Sequence, residues 1–561
     1  MDASLGLRLQ PDPTRWTLGR FLEDVAARHG ERAAFRFEGR TTHYDDLARE
    51  ARALARGLIG AGVAKGAHVG LLVANRPEWA IGAFAAGMIG AVVVPISTLA
   101  TKAEREYILR HSDVSVLLLQ RSLRSRDFLE ELFTEHPELE EGSPGRLLCP
   151  ALPQLRRLVC LGSERSRGGA ESWQEVVESG ADVPDALLDA AIAELSPSED
   201  GMLIYTSGTT AHPKGVLHRQ RAPVIQSWRF AELMGLRADD RVFTAQPFFW
   251  TAGLAMSLGA TLAAGACLLL QEIFEPASAL ELIERERATV ITAFPHQEKT
   301  LGEHASAAGR DLSSIRLSRF SSPLAKLAGI DEDVWGIDAS YGLSETFTIA
   351  AMLPADTPSE IRRGSSGRAL TGNEIAIVDP ESGARLPVGA HGEIAVRGAT
   401  LMRGYYKVEP EHVFDRDGFF RTQDGGSLDA DGHLHWTGRL SGLIKTGGAN
   451  VSPVELERVL AAYPGLRVAA AVGVPHPTLG EVLVLCAVPL AGAPTPDEAA
   501  IQAFVRERLA PYKVPRRVLL FSERDFQYTA NQKAQLAPLR EMALRRLAAE
   551  GAEIAGHRYG G

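Results

Sequence analysis

Cysteine is scarce in this sequence. The 561 residues include only four cysteines, and no two of them form a CxxC pair. They are Cys149, Cys160, Cys267 and Cys486. Because they are far apart along the chain, we expect neither a disulfide framework nor a zinc site built on cysteine pairs.

An excess of basic residues is also absent. Asp and Glu number 70 against 60 Lys and Arg, which gives a formal net charge of −10. A chain with this balance is not expected to bind nucleic acid or an anionic membrane surface. The first ten residues, MDASLGLRLQ, lack the basic region and the apolar run of a secretory signal. We therefore expect a cytoplasmic protein.

Two apolar stretches are long enough to need an explanation. TAGLAMSLGATLAAGACLLL (251–270) is uncharged and could cross a bilayer by its length. It is interrupted by glycines, however, and has neither a basic flank nor an aromatic belt. We expect a buried helix followed by a core strand here and in IGAFAAGMIGAVVVPI (81–96), and no membrane span.

The remaining composition is that of a globular protein of several compact units, with 45% hydrophobic and 23% charged residues. The first third alternates helix-length segments with Val- and Leu-rich runs, which predicts a largely parallel sheet covered by helices. The charged segment 121–150 is expected to be a surface excursion. Short alternating strands predict a small β subdomain from about residue 364, and a compact α+β domain is expected after about residue 440.

One short motif in that last domain has a structural explanation. Ser452, Pro453 and Glu455 occupy the N-cap, first and third positions of the helix that begins there. This pattern predicts a capping box, in which the serine and the glutamate satisfy each other's backbone N–H groups. We assign no chemistry to it.

The segment YTSGTTAHPKG (205–215) combines small hydroxyl residues, glycines and a lysine. An ordinary solvated loop would have a similar composition. A phosphate-binding loop would also have it, because glycine lets the backbone approach an anion while hydroxyls and a lysine contact it. The segment alone does not decide between the two.

Four further motifs favour the phosphate-binding interpretation. YGLSE (341–345), RTQD (421–424), GRLSGLIKTGG (438–448) and TANQK (529–533) follow the loop in this order. The set resembles that of the adenylate-forming enzymes, which include acyl- and aryl-CoA ligases, peptide-synthetase adenylation domains and firefly-type luciferases. The resemblance covers residues 15 to 540 approximately.

The resemblance implies an α/β fold with a large N-terminal domain of helix-covered sheets and a small mobile α+β C-terminal domain. We expect the N-terminal domain to span 1–438, with the β subdomain at about 364–438. A hinge is expected at 439–445, and the C-terminal domain at 446–561. Gly442 is the expected hinge residue, about which the small domain rotates between two half-reactions.

The resemblance also implies a nucleotide site for ATP and AMP. The residues expected to bind the β- and γ-phosphates are Thr206, Ser207, Gly208, Thr209, Thr210 and Lys214. Those expected to line the adenine pocket are Ser321, Ser322, Ala339 and Ser340. Ser344 would contact the α-phosphate, Asp424 would accept both ribose hydroxyls, and Arg439 would reach the ribose and phosphate region.

Three charged residues would have catalytic roles by the same resemblance. Glu345 would hold Mg²⁺, which prefers carboxylate and phosphate oxygens. Lys533 would stabilise the charge that develops when a carboxylate attacks the α-phosphate. Lys445, together with Gly447 and Gly448, would line the channel for coenzyme A after the small domain has turned.

The expected acyl pocket is apolar. The stretch QPFFWTAGL (246–254) contains no acid, whereas peptide-synthetase adenylation domains have an aspartate there for the substrate's amine. Luciferases and many CoA ligases have histidine in place of Trp250. We expect Phe249, Trp250 and Gly342 to line a pocket for a hydrophobic carboxylic acid, with an alicyclic or steroid-like acid as one option. Packing of an ordinary aromatic cluster is the alternative.

The sequence departs from the family pattern at four places: Ala211, Gln423, Gly442 and Gln532. Because three of them lie near the nucleotide or Lys533, we expect adenylation to be the weaker half-reaction.

Our hypothesis is an acyl-CoA ligase (an AMP-forming acid–thiol ligase) that uses free CoA, because little sequence follows Lys533 to form a carrier domain. One alternative is an enzyme that only transfers a preformed acyl-adenylate to CoA. A second alternative is a nucleotide-binding protein without catalysis. The oligomeric state is left open, with a homodimer as one option.

Overall fold

The computed structural model of the protein describes residues 12–206, 213–333, 339–446, 449–509, 511–528 and 534–560. The chain divides into two compact units. The first unit comprises Met1–Ile375, Val396–Phe420 and Gly432–Leu434, and the second comprises Ala376–Ala395, Arg421–Asp431 and His435–Gly561.

The first 206 residues alternate helices and strands, as the sequence pattern predicts. The helices are α1 (Leu18–His29), α2 (Tyr44–Gly60), α3 (Pro77–Met88), α4 (Lys102–His111), α5 (Phe128–Glu135), α6 (Pro137–Glu141), α7 (Trp173–Ser179) and α8 (Asp185–Glu194). The strands are β1 (Ala33–Phe37), β2 (Arg40–His43), β3 (His68–Leu72), β4 (Val92–Pro95), β5 (Val116–Gln120), β6 (Ser122–Leu123), β7 (Arg126–Asp127), β8 (Arg157–Leu161), β9 (Ala170–Ser172) and β10 (Asp200–Thr206).

The middle of the chain has longer loops and shorter strands. Its helices are α9 (Arg221–Leu233), α10 (Ala260–Ala264), α11 (Pro276–Arg285), α12 (Pro295–Glu303), α13 (Pro323–Leu327) and α14 (Ser359–Arg362). Its strands are β11 (Lys214–Arg219), β12 (Arg241–Thr244), β13 (Cys267–Leu269), β14 (Val290–Thr292), β15 (Ser340–Tyr341), β16 (Ala351–Met352), β17 (Arg368–Ala369), β18 (Asn373–Val378), β19 (Gly392–Gly398), β20 (Gly404–Tyr405), β21 (Phe420–Leu428) and β22 (Leu434–Arg439).

The last part of the chain is an α+β unit, as predicted. Its strands are β23 (Ile444–Thr446), β24 (Ala449–Val451), β25 (Leu466–His476), β26 (Gly480–Pro489), β27 (Arg517–Leu520), β28 (Glu553–Ile554) and β29 (His557–Arg558). Its helices are α15 (Pro453–Leu460), α16 (Glu498–Arg506) and α17 (Leu536–Ala549).

An eight-stranded sheet with the order β20-β11-β10-β4-β3-β5-β8-β9 is central to the first unit. The pairs from β10 to β9 are parallel, whereas β11 and β20 are added antiparallel at one edge. All five residues of β5 are buried. Such continuous burial is typical of parallel strands that have helices on both faces, and the predicted helix-covered sheet is confirmed.

A second sheet of the first unit has the order β14-β12-β13-β1-β2, and its first four strands are parallel. The apolar stretch 251–270 leads into it. A π-helix (Gly253–Gly259) continues into α10, and β13 follows, all of them buried. The prediction of a buried helix and a core strand is therefore confirmed. Among the described residues, no helix is long and apolar enough to cross a membrane.

The charged segment 121–150 is not the surface excursion that the sequence suggested. Its helices α5 and α6 bury five apolar side chains in a core shared with β5 and β8: Phe128, Leu129, Leu132, Phe133 and Leu139. Arg105 of α4, with a side chain only 1% exposed, forms ion pairs with Glu131 at 2.6 Å and Glu135 at 2.8 Å. The acids of this segment thus pair with a buried cation, which the charge pattern alone could not show.

In the second unit, β25 and β26 form a long antiparallel pair, and β27 joins β26 in parallel. Ser452 caps α15, because its hydroxyl oxygen accepts a hydrogen bond from the Glu455 N–H at 3.2 Å. Both residues are described, and the reciprocal half of the predicted capping box is absent between them. The Glu455 carboxylate instead accepts from Lys513 Nζ at 2.6 Å, since an ion pair is a stronger partner than a backbone N–H.

The strands β18, β19, β21 and β22 form a four-stranded sheet. These are the short alternating strands that the sequence predicted for the β subdomain. Two residues of the predicted nucleotide site lie in this sheet, Asp424 on β21 and Arg439 on β22.

Candidate nucleotide and acyl site

Two strands of the eight-stranded sheet fix the ends of the predicted phosphate-binding loop. Thr206 ends β10 and Lys214 begins β11, and the antiparallel register places these two residues opposite each other. The loop therefore closes a hairpin at the carboxyl end of β10. In open α/β sheets, ligands bind at the carboxyl ends of the parallel strands.

A tyrosine connects this lysine with the YGLSE motif. Lys214 Nζ lies 4.8 Å above the centre of the Tyr405 ring. The Tyr405 hydroxyl donates a hydrogen bond to Glu345 Oε1 at 2.6 Å. Tyr405 reaches this position because β20 pairs with β11, with Tyr405 opposite Val216. The fold thus brings together a cation and a carboxylate that are far apart in the sequence.

A buried histidine holds the backbone of Ser344. His218 of β11 is fully buried, and its Nε2 lies 2.8 Å from the Ser344 carbonyl oxygen. Burial lowers the pKa of His218 to about 3, so the ring is neutral at physiological pH and Nε2–H donates to that carbonyl. The Phe347 ring packs edge-on against His218 at 4.9 Å.

The turn after YGLSE is held by a buried glutamine. Phe347 and Thr348 have φ values of 50° and 91°, a left-handed region that is unfavourable for both residue types. Gln226 of α9 donates from Nε2 to the carbonyls of Phe347 at 2.9 Å and of Ile349 at 2.7 Å. Gly342 lies against the same turn, where a Cβ atom would come within 2.0 Å of the Thr348 carbonyl oxygen. The motif therefore needs both a glycine and a buried donor.

The predicted adenine-pocket residues differ in what their side chains do. The Ser322 hydroxyl accepts from the Ala325 N–H at 3.1 Å and so caps α13, whereas Ser321 is exposed. Ala339 is buried, and Ser340 pairs with Met352 between β15 and β16. Of these three serines, Ser321 is exposed, Ser340 is partly buried and Ser322 is buried.

In the second unit, the predicted ribose-binding residues contact each other. Asp424 is buried at 2% exposure, and its Oδ1 lies 3.2 Å from Arg439 Nε. The same guanidinium donates from Nη1 to the Thr422 carbonyl at 2.8 Å. Asp424 and Arg439 come from the neighbouring strands β21 and β22. The two predicted ligand groups thus form one charged pair.

The residue before Asp424 has a backbone conformation that favours glycine. Gln423 has φ of 61°, in the left-handed region, and its N–H donates to Glu393 Oε1 at 2.8 Å. A residue with a side chain pays about 1 kcal/mol or more for this conformation. Glycine adopts this conformation without strain, whereas Gln423, one of the four departures from the family pattern, is strained in it.

Three aromatic rings contact one another where the sequence predicts the acyl pocket. Trp250 lies between Phe249 at 5.2 Å and Phe294 at 5.8 Å, both in edge-on contacts, and it is half-buried. The segment before it is fixed by Asn75, whose Oδ1 accepts from the Phe248 N–H at 2.9 Å. Asn75 Nδ2 also donates to the Gln246 carbonyl at 2.8 Å. The aromatic side chains therefore project from a firmly held backbone.

Several predicted site residues lie outside the described part of the chain: Ser207, Gly208, Thr209, Thr210, Ala211, Gly447, Gly448, Gln532 and Lys533. Lys445 belongs to β23. Gly442 ends a short 3-10 turn, Leu440–Gly442, within the predicted hinge. Their roles remain predictions.

Sequence reasoning missed three residues that support the site: Tyr405, His218 and Gln226. Tyr405 could have been suspected from the aromatic pair of GYYK (404–407), which follows a glycine. His218 and Gln226 gave no signal, because a buried polar residue can be recognised only when its distant backbone partner is known.

Comparison with known proteins identifies the family. Residues 22–406 match the model described as AMP-binding enzyme, and residues 455–533 match the AMP-binding enzyme C-terminal domain. The chain belongs to this family. The YngI protein of Bacillus subtilis (strain 168) is 30% identical over 541 residues, which cover 94% of this chain and 97% of YngI.

Two further relatives place the AMP-binding protein in the acyl-CoA synthetase branch of the adenylate-forming superfamily. A Mycobacterium tuberculosis enzyme named 3-[(3aS,4S,7aS)-7a-methyl-1,5-dioxo-octahydro-1H-inden-4-yl]propanoyl:CoA ligase is 32% identical over 473 residues, 83% of this chain and 87% of that one. The crystal structure of the anthranilate CoA ligase AuaEII in complex with anthranoyl-AMP superposes with a TM-score of 0.77. Its sequence is 26% identical, and the match covers 97% of this chain and 100% of AuaEII. The protein is an AMP-forming acid–thiol ligase.

Proposed function

We propose that this ligase converts a hydrophobic carboxylic acid, bulky and alicyclic, into its CoA thioester by way of an acyl-adenylate. The observation that supports the substrate class most strongly is the aromatic wall of Phe249, Trp250 and Phe294. No acidic side chain occurs between residues 246 and 254 to pair with a substrate amine. An unpaired ammonium group would be costly to bury there.

The nucleotide half of the reaction would use the groups around Tyr405. Lys214 would offset the charge of the ATP phosphates, and Ser344 would contact the α-phosphate. Glu345 is a half-buried carboxylate with one oxygen bound by Tyr405, which suits a Mg²⁺ ion held by one carboxylate and by substrate phosphates. When bound, that ion would neutralise developing phosphate charge. Asp424 would bind the ribose hydroxyls, with Arg439 holding its carboxylate in place.

The names of the relatives are consistent with this substrate class. The Mycobacterium tuberculosis relative is named for a propanoyl group on a fused bicyclic ring, and the AuaEII structure holds anthranoyl-AMP. One acid is alicyclic and the other aromatic, and both are compact ring acids. CoA as the acceptor is proposed from these names and from the predicted roles of Lys445, Gly447 and Gly448.

A panel of ring-containing and straight-chain carboxylic acids, incubated with ATP and CoA, tests this proposal. Acyl-AMP and acyl-CoA are measured separately by mass. We expect ring acids to form thioesters and polar amino acids to form none. Formation of acyl-CoA from straight-chain acids only would contradict the substrate class.

Trp250→Ala tests the wall itself, with Phe248→Leu as a control for packing. Phe248 is fully buried against Trp79 at 5.4 Å, so its truncation is expected to lower stability and leave the acid profile unchanged. Trp250→Ala should change the order of preferred acids and leave the KM for ATP within about twofold, since the side chains that line an apolar pocket select ligand shape locally. An unchanged order would favour the packing alternative.

A further inference from the structure

A cleft of about 630 Å³ opens in the first unit at the opposite end of the sheet from the phosphate-binding loop. His68 begins β3, Val92 begins β4 and Asp200 begins β10, and these three neighbouring strands all contribute to its lining. Asp200 and Thr206 are the two ends of β10, which places the cleft about 20 Å from the loop at ~3.3 Å per residue. The cleft is therefore a separate place from the catalytic site.

The charged lining of this cleft has a surplus of cations. Lys65, Arg219, Arg221 and Arg403 line it, against two acids, Glu199 and Asp200. Each acid already has a basic partner, because Lys65 Nζ lies 2.6 Å from Glu199 and Arg403 pairs with Asp200. Two guanidinium groups, those of Arg219 and Arg221, are left without a neutralising acid of their own.

Arg219 is the most informative of these residues. It ends β11 and is half-buried, and within the described part of the chain its guanidinium makes no hydrogen bond and no ion pair. Burial and the nearby Arg403 lower the pKa of Arg219. Burial and the nearby Arg219 likewise lower the pKa of Arg221, whose Nε donates to the Ala399 carbonyl at 3.1 Å. Such a pair of like charges is stabilised by an anion between them.

We propose that the cleft binds a phosphorylated small molecule with at least two negative charges. Guanidinium groups form paired hydrogen bonds with phosphate oxygens, and two surplus cations match a dianion. The volume lies within the range of small-molecule sites, from about 300 to 1,000 Å³, and would hold a molecule as large as a nucleotide. This inference does not depend on the proposed substrate of the ligase.

Ser198 is a position at which two variants of equal size can differ in charge alone, because it lines the cleft and is exposed. Ser198→Glu adds a carboxylate beside the arginines, whereas Ser198→Gln adds the same bulk without charge. Arg219→Gln removes the unpaired cation, and Arg363→Gln, at an exposed arginine away from the cleft lining, is its charge-matched control. Circular dichroism and thermal unfolding establish that each variant is folded.

The experiment is titration calorimetry of the full chain with inorganic tripolyphosphate and, separately, with citrate. Lys214→Ala weakens the phosphate-binding loop, so binding whose affinity it leaves unchanged belongs elsewhere. We expect such binding of tripolyphosphate to weaken about tenfold or more in Ser198→Glu and in Arg219→Gln, but not in Ser198→Gln or Arg363→Gln. Tighter binding of citrate than of tripolyphosphate would overturn the phosphate assignment. Binding abolished by Lys214→Ala alone, or unaffected by Arg219→Gln and Ser198→Glu, would overturn the site.

Discussion

The two compact units position their predicted nucleotide-binding residues in different ways. In the first unit, Lys214 and Glu345 come from distant parts of the chain and meet at Tyr405. In the second unit, Asp424 and Arg439 are close in sequence and contact each other directly on adjacent strands. The first arrangement depends on long-range packing, and the second on local strand pairing.

The residues that support these two groups also differ. His218 and Gln226 are fully buried and donate to the backbone on either side of Glu345. Behind Asp424, by contrast, the chain passes through the strained backbone of Gln423. We therefore expect substitutions of His218 and Gln226 to lower stability as well as activity. Substitutions around Asp424 should lower stability less.

The largest expected effect is on activity, from Glu345→Gln. The amide oxygen can still accept the Tyr405 hydrogen bond, so the fold should be retained, but the negative charge is lost. We expect thioester formation to fall about a hundredfold or more, the scale of losing a preorganised electrostatic contact. The rate is measured at saturating ATP, CoA and acid. Glu360→Gln, at an exposed glutamate of α14, should keep the wild-type rate, and equal rates in both variants would refute the role of Glu345.

Gln226→Met should have the largest effect on stability. The substitution keeps the volume but removes the donor to the carbonyls of Phe347 and Ile349, which lie in a buried turn. Leaving such groups unpaired costs about 2 kcal/mol or more. Thermal unfolding should show a lower midpoint than in Gln174→Met, a change at an exposed glutamine. Equal midpoints would mean that the turn does not depend on Gln226.

His218 should make the stability of the protein sensitive to acid. Its pKa is about 3 in the folded protein, against an ordinary value near 6.5 in the unfolded chain. Between these values only the unfolded chain binds the proton, so the free energy of unfolding falls as the pH decreases. The contribution of this residue approaches ~1.4 kcal/mol per pH unit.

Unfolding by urea between pH 7 and pH 4 measures this dependence. His218→Gln, which can still donate to Ser344, should flatten the curve, whereas His412→Gln, at an exposed histidine, should not. The same slope in both variants would show that other groups cause the acid sensitivity.

The smallest expected effect concerns Gln423. Asparagine tolerates the left-handed conformation better than glutamine, and β-branched valine tolerates it worst. Gln423→Asn should keep the unfolding midpoint, whereas Gln423→Val should destabilise by about 1 kcal/mol or more. Gln423→Gly should speed adenylation relative to thioester formation, if the strain disturbs Asp424. Identical behaviour of all three variants would mean that the conformation has no cost.

The sequence predicted the parallel sheet, the buried stretch 251–270 and the α+β unit, because burial periodicity is a local property. It also identified Lys214, Glu345 and Asp424 as candidate site residues, because each belongs to a recognisable short motif. It could not predict Tyr405 as the connection between Lys214 and Glu345, since the pairing of β20 with β11 joins segments almost two hundred residues apart. The charge pattern of 121–150 misled for the same reason, because the buried partner Arg105 lies outside that segment.

The most direct test of the proposed reaction is exchange of labelled pyrophosphate into ATP, which reports reversible formation of an acyl-adenylate without CoA. We predict exchange in the wild type that requires a ring-containing carboxylic acid. The same exchange should be reduced about a hundredfold in both Glu345→Gln and Asp424→Ala, one variant from each compact unit. Exchange without any acid, or full exchange in Asp424→Ala, would contradict an adenylation step that needs both carboxylates.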